Sequence, residues 1–140
     1  LIYSFIILLI SLVFVSCEKE AGEGGTSHIY GKVYQIQFDA SFQTIVDTVP
    51  ASDEDVYIIY GTDGSTYNDD FKTSFDGSYK FEFLQNGEYR MFAYSEDSTG
   101  AFNGNLNPDG REVPVFVNIT IDKSGKEIIA PTIYILKNNQ

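Results

Sequence analysis

The chain has 140 residues and a formal net charge of −11, from 20 Asp and Glu against 9 Lys and Arg, so its surface repels nucleic acid and anionic lipid headgroups. A single cysteine and a single histidine exclude an internal disulfide and give no basis for a zinc site. The length suits one domain that buries its core without metal or disulfide support.

Residues 1–16 contain no Asp, Glu, Lys or Arg. They fall short of the ~20 apolar residues that a membrane-crossing helix needs, and an export signal is the expected role. The run opens with neither Met nor a basic residue, so a truncated or unusually started N-terminus is expected. It closes on Ser11-Leu12-Val13-Phe14-Val15-Ser16-Cys17. This resembles the lipobox of a bacterial lipoprotein, with small Ser16 before the cysteine and apolar Phe14 two places further back. The resemblance implies cleavage between Ser16 and Cys17, a diacylglyceryl group on the Cys17 sulfur, and acylation, typically palmitate, of the new amine. Several acyl chains at ~0.8 kcal/mol per buried CH₂ make a firm anchor. The mature chain would keep 124 residues and every charge.

Residues 17–27 then form the lipidated cysteine and a flexible tether, since 18–27 include three glycines and nothing to bury. Glu18, Lys19 and Glu20 resemble the short charged surface-export signals of Bacteroidetes lipoproteins. That implies an outer-membrane location with the domain facing the cell surface in preference to the periplasm.

From residue 28 to 140 the pattern is that of strands. Residues 29–38, 55–60, 69–74, 78–84, 88–95, 112–121 and 127–136 are rich in Val, Ile, Tyr and Phe, without a competing 3.6-residue stripe. Tyr79, Phe81 and Phe83 alternate with Lys80 and Glu82, and Val113, Val115, Val117, Ile119 and Ile121 alternate likewise, as strands with one wet face require. Asp76-Gly77 suits a tight hairpin, and Gln85-Asn86-Gly87 and Lys123-Ser124-Gly125 are the next turns. The expected fold is all-β, a seven-stranded antiparallel sandwich. Its facing sets are Ile29 and Val33, Val56 and Ile58, Tyr79, Phe81 and Phe83, Tyr89 and Met91, the valines after Glu112, and Ile133 with Ile135. Residues 39–53 read as an insertion, with a hairpin through 42–47.

The run Gly77-Ser78-Tyr79-Lys80-Phe81-Glu82-Phe83-Leu84-Gln85-Asn86-Gly87-Glu88-Tyr89 resembles the strand, turn and strand signature of carboxypeptidase-regulatory-like and other prealbumin-like (transthyretin-like) domains. Ile29, Gly31 and Val33 are similar to that family's first strand, and residues 51–60 to its second. The resemblance implies a surface binding, spacer or adhesion module.

Catalysis lacks a visible constellation. His28 stands alone at the tether boundary, so a Ser-His-Asp arrangement has little to build on, and a glycosidase-like carboxylate pair needs a separation that sequence does not give. Asp53, Glu54 and Asp55, then Asp69 and Asp70, then Glu96 and Asp97 offer hard oxygen ligands of the kind Ca²⁺ takes, but read better as solvated loop acids. No metal or cofactor is expected. A ligand face is expected instead. With Val56, Ile58, Tyr89, Met91 and Ala93 inward, Tyr57, Ile59, Arg90, Phe92 and Tyr94 share the opposite side, an apolar patch suited to a protein partner or a sugar ring unless residues 39–53 or 96–110 fold over it. Asp47-Thr48-Val49 and Asp97-Ser98-Thr99 resemble the O-glycosylation sequon of Bacteroidetes envelope proteins, which would modify Thr48 and Ser98. The reading is a non-enzymatic, membrane-anchored binding or structural module, with a glycan-binding accessory protein as the alternative and a hydrolase third.

Overall fold

The structure is a computed structural model that describes residues 20–96 and 112–138. The export signal with Ser16 and Cys17, and the Asp97-Ser98-Thr99 tripeptide, lie outside these residues.

Every regular element among the described residues is a strand, and there are nine where seven were expected. They are β1 (Glu23–Phe38), β2 (Ile45–Pro50), β3 (Asp55–Tyr60), β4 (Asp69–Lys72), β5 (Ser78–Leu84), β6 (Gly87–Glu96), β7 (Glu112–Ile121), β8 (Glu127–Ile129) and β9 (Ile133–Asn138). One sheet runs β4-β3-β6-β7, and the other is built around β1, which pairs with β2, β5, β8 and β9. Ile29 pairs with both Phe81 of β5 and Ile128 of β8, so these strands occupy opposite edges of β1. The pairing is antiparallel except that β8 and β9 run parallel to β1. The chain reaches them by crossing from β7 in the other sheet, the long return that a parallel neighbour requires.

The two extra strands have local causes. In the insertion, the Asp39 carboxylate accepts hydrogen bonds from the Ser41 hydroxyl and from the N–H groups of Ser41, Gln43 and Thr44. These bonds, the Ser41 hydroxyl first, hold its carboxyl below the usual range and close a turn that returns β2 against β1. The expected single strand 127–136 is cut at residues 130–132, because Pro131 has no N–H to give a ladder. There three residues span what Gly31 and Lys32 span on β1.

The three turns flanking β5 and following β7 are not hairpins. Strand β4 pairs with β3 while β5 pairs with β1, so Asp76-Gly77 carries the chain between sheets. Gln85-Asn86-Gly87 and Lys123-Ser124-Gly125 are crossings too. Gly77 has φ 75°, and a Cβ there would collide with the Val33 carbonyl oxygen. Such a turn fixes the reversal of the chain, not whether the flanking strands share hydrogen bonds.

The core lies between the sheets and holds Ile29, Val33, Val56, Ile58, Tyr79, Phe81, Tyr89, Met91, Ile133 and Ile135, all buried as expected. Each such aliphatic or aromatic burial is worth about 1.5–3 kcal/mol. Val115, Val117 and Ile119 are only half-buried, because β7 is the edge of its sheet. Phe83 is a correction. It has φ 57° and points to solvent while Leu84 takes the core position, since the β1–β5 register shifts between Ser27 and Ile29 and a bulge there breaks the two-residue period.

The tether is shorter than its composition implies. β1 begins at Glu23, and Ser27 is fully buried, its hydroxyl donating to the Lys123 carbonyl and accepting from the Lys126 N–H at 3.1 Å. A Cβ on Gly25 would collide with the Leu84 backbone. That glycine serves close approach between strands, not flexibility.

Candidate functional site

The outer face of the β4-β3-β6-β7 sheet is set by register. Glu88, Arg90, Phe92 and Tyr94 of β6 lie opposite Thr120, Asn118, Phe116 and Pro114 of β7. Tyr57 and Ile59 of β3 lie opposite Phe92 and Arg90. Since alternate residues of a strand share a face, all five residues of the expected ligand face come together.

Their roles differ. Ile59 and Phe92 are only 5% and 7% exposed and form the floor, whereas Tyr94, Phe116 and Tyr67 are 39%, 42% and 53% exposed. Tyr57 stacks on Phe92 with ring centroids 5.0 Å apart and 23° between planes. Tyr67 lies 4.6 Å from Tyr57, Tyr94 meets Phe92 edge-on at 5.5 Å, and Phe116 flanks Phe92 at 5.2 Å. The Arg90 guanidinium carbon sits 4.3 Å above the Phe116 ring centroid, and its Nη1 donates to the Thr62 carbonyl at 3.3 Å. Burial first, then the nearby Asp55 charge, pushes the Tyr57 hydroxyl above its ordinary pKa, so it stays protonated.

Two grooves meet at Arg90. One, of about 400 Å³, is lined by Tyr67, Phe92, Tyr94 and Phe116 among others. The second, of about 350 Å³, is mixed, with Thr62, Glu88, Asn118 and Thr120 beside Tyr89 and Ile119. The surface therefore grades from rings to hydrogen-bonding groups along β6 and β7. Residues 39–53 do not cover it, because β2 pairs with β1 in the other sheet; of the other expected cover, 96–110, all but Glu96 lies outside the described residues. One wall comes from residues 61–68, placed by the Asn68 side chain accepting the Tyr60 N–H at 2.8 Å and by the Asn68 N–H donating to the Ile58 carbonyl at 2.8 Å.

Sequence reasoning missed Tyr67 and Phe116. Phe116 was within reach: the alternation that sends Val115 and Val117 inward sends Pro114, Phe116, Asn118 and Thr120 outward. Tyr67 carries no such signal, as it sits in a loop.

The other candidates take ordinary positions. Asp55 pairs with Lys72 at 2.9 Å, and Glu54 pairs with Lys137 at 3.5 Å. Among the described residues no three His, Cys, Asp or Glu side chains are grouped to hold a metal ion. The Glu96 carboxylate accepts the Asn138 N–H at 3.1 Å. His28, expected at the tether boundary, lies within β1, where its Nδ1 accepts the Phe83 N–H at 3.2 Å. Thr48, expected in a loop, is an exposed residue of strand β2, its N–H bonded to the Asp47 carboxylate.

No family model matches the chain, and no curated protein matches it significantly. Among solved structures it is similar to a Pseudomonas aeruginosa protein for which carbohydrate binding has been suggested, at 14% identity over 84% of this chain and 92% of that one, with a TM-score of 0.48. It is also similar to (S)-allantoin synthase, at 16% identity over 83% of this chain and 42% of that one, with a TM-score of 0.37. At these values neither likeness carries an argument about function.

Proposed function

We propose that this chain is a non-enzymatic cell-envelope lipoprotein whose β-sandwich binds a glycan on the outer face of the β4-β3-β6-β7 sheet. The observation that carries the proposal is the graded strip along β6 and β7, where half-exposed Tyr94 and Phe116 border a groove that passes into Arg90, Asn118, Glu88 and Thr120. A sugar ring is amphipathic in the same way. Its C–H face stacks on an aromatic ring, and its hydroxyls exchange hydrogen bonds with polar side chains. The buried floor of Phe92 and Ile59 fixes the exposed rings before a ligand arrives, so little side-chain freedom is lost on binding.

The rest of the proposal comes from the sequence. Acyl chains on Cys17, exposed by cleavage after Ser16, would hold the protein in the outer membrane, facing the cell surface, and Thr48 and Ser98 would be available for O-glycosylation. The prealbumin-like resemblance fits a display module of this kind. No catalytic step is assigned to any residue.

The test is retention on immobilised polysaccharides in affinity electrophoresis. Tyr94→Ala and Phe116→Ala should each cost about 1–2 kcal/mol, roughly tenfold in Kd. Tyr134→Ala, which removes an exposed ring on β9 of the other sheet, should leave retention unchanged. Unaltered retention in the first two variants would reject the face as the site.

A further inference from the structure

We infer that the glycan bound here is acidic, presenting the carboxylate of a uronic-acid residue to Arg90 at the junction of the two grooves. This rests on the proposal that the face binds a glycan, and adds the chemical class of the residue recognised.

Among the described residues Lys123, Lys126 and Arg90 have no carboxylate partner, and of these only Arg90 lies on the outer face of the β4-β3-β6-β7 sheet. Lys32, Lys72, Lys80 and Lys137 each have a carboxylate within 3.6 Å. Arg90 has none among the described residues. Its contacts are the Thr62 carbonyl and the Phe116 ring. Glu88, two residues away on the same face, lines the second groove with Arg90 yet forms no ion pair with it. A guanidinium has five N–H donors in a planar fork, and the Thr62 carbonyl takes up one nitrogen. The other guanidinium N–H groups have no protein acceptor among the described residues, and the cation is held by the ring beneath it and the loop carbonyl beside it.

A carboxylate fits that fork in bidentate fashion, with charge-assisted bonds about twice as strong as neutral ones. Phe116 supports the same cation from below and places it at the end of the aromatic groove. A pyranose stacked on Tyr94 or Phe116 would bring a ring-borne carboxylate toward Arg90, while hydroxyls of the next residue would reach Asn118 and Thr120. The net charge sets a limit on the ligand. At −11 the protein repels a densely charged chain within about one Debye length, ~8 Å in physiological salt, so uronates spaced by neutral sugars suit it better than a continuous polyuronate.

The test uses calorimetric titration of the mature chain with oligosaccharides in which glucuronate, galacturonate or mannuronate alternates with neutral sugars, each beside its carboxyl-reduced counterpart. The expected result is tenfold or greater preference for at least one acidic form over its reduced form. Arg90→Gln should erase that preference, and Arg90→Lys should restore only part of it, because an ammonium lacks the planar fork. Lys32→Gln, on the other sheet, should leave the preference intact, and thermal melts of each variant would establish that it is folded. Equal binding of acidic and reduced forms, unaffected by Arg90→Gln, would overturn this inference while leaving a neutral-glycan face standing. No binding of any form would overturn both.

Discussion

Asp76 closes the crossing from β4 to β5 by accepting the Ser78 hydroxyl at 2.6 Å and the Ser78 N–H at 3.1 Å, with Lys32 at 3.3 Å. Those bonds, the Ser78 hydroxyl first and its amide second, lower the Asp76 carboxyl to about 2. A carboxyl depressed in the folded state adds stability above its unfolded value of about 3.9, and that stability is lost as pH falls through the folded value. The group is exposed, so the effect is small and screened. Melts from pH 7 to pH 2 should show Asp76→Asn less stable by a constant margin down to about pH 4. The margin should close as pH approaches 2; one that persists there would mean the charge contributes nothing. At this scale the sequence was informative wherever alternation held. It placed Tyr79, Phe81, Tyr89 and Met91 in the core, and Tyr57, Arg90 and Tyr94 on one outer face. It misplaced Phe83, where a bulge made by a distant strand resets the period, and it gave no hint that Ile59 and Phe92 would be floor instead of contact surface.

Among the elements, β9 links the two sheets. It pairs along one edge with β1, and on the other its Leu136 N–H donates to the Ser95 hydroxyl at 2.8 Å while its Asn138 N–H reaches the Glu96 carboxylate. Ser95 is buried, so Ser95→Ala should leave the Leu136 N–H without a partner and cost about 1–3 kcal/mol. A lower urea midpoint together with faster hydrogen exchange at the Leu136 amide would report it; an unchanged midpoint and unchanged exchange would show that the bond is dispensable. β5 and β7 match their predicted bounds because each has one wet and one dry face, and β3 matches its own although rings cover its outward side. β2 escaped because most of Ile45–Pro50 is exposed, which leaves no alternation to read. The break between β8 and β9 was marked by Pro131 but hidden in a long apolar run. Strand partners were the least legible feature, since a glycine turn looks the same whether it joins paired strands or crosses between sheets.

For the whole molecule, rings lie on both outer faces, and it is the charges beside them that differ. The β1 sheet exposes Phe83, Ile129 and Tyr134 and a groove of about 390 Å³ beside Tyr30 and Ile129, and its outward Lys32 and Lys80 are paired with Asp76 and Glu82. On the β4-β3-β6-β7 sheet the outward residues include Tyr94 and Phe116 beside Arg90, which has no carboxylate partner among the described residues. The arginine set among rings, not the rings alone, is the physical basis for assigning binding to one side of the sandwich. The most direct measurement is a map of amide chemical-shift changes when the mature chain is titrated with acidic and neutral oligosaccharides. The account predicts changes concentrated at Tyr67, Arg90, Tyr94, Phe116 and Asn118, with β1, β5 and β9 unmoved. Changes centred on the β1 sheet, or none with any glycan at saturating concentration, would contradict it.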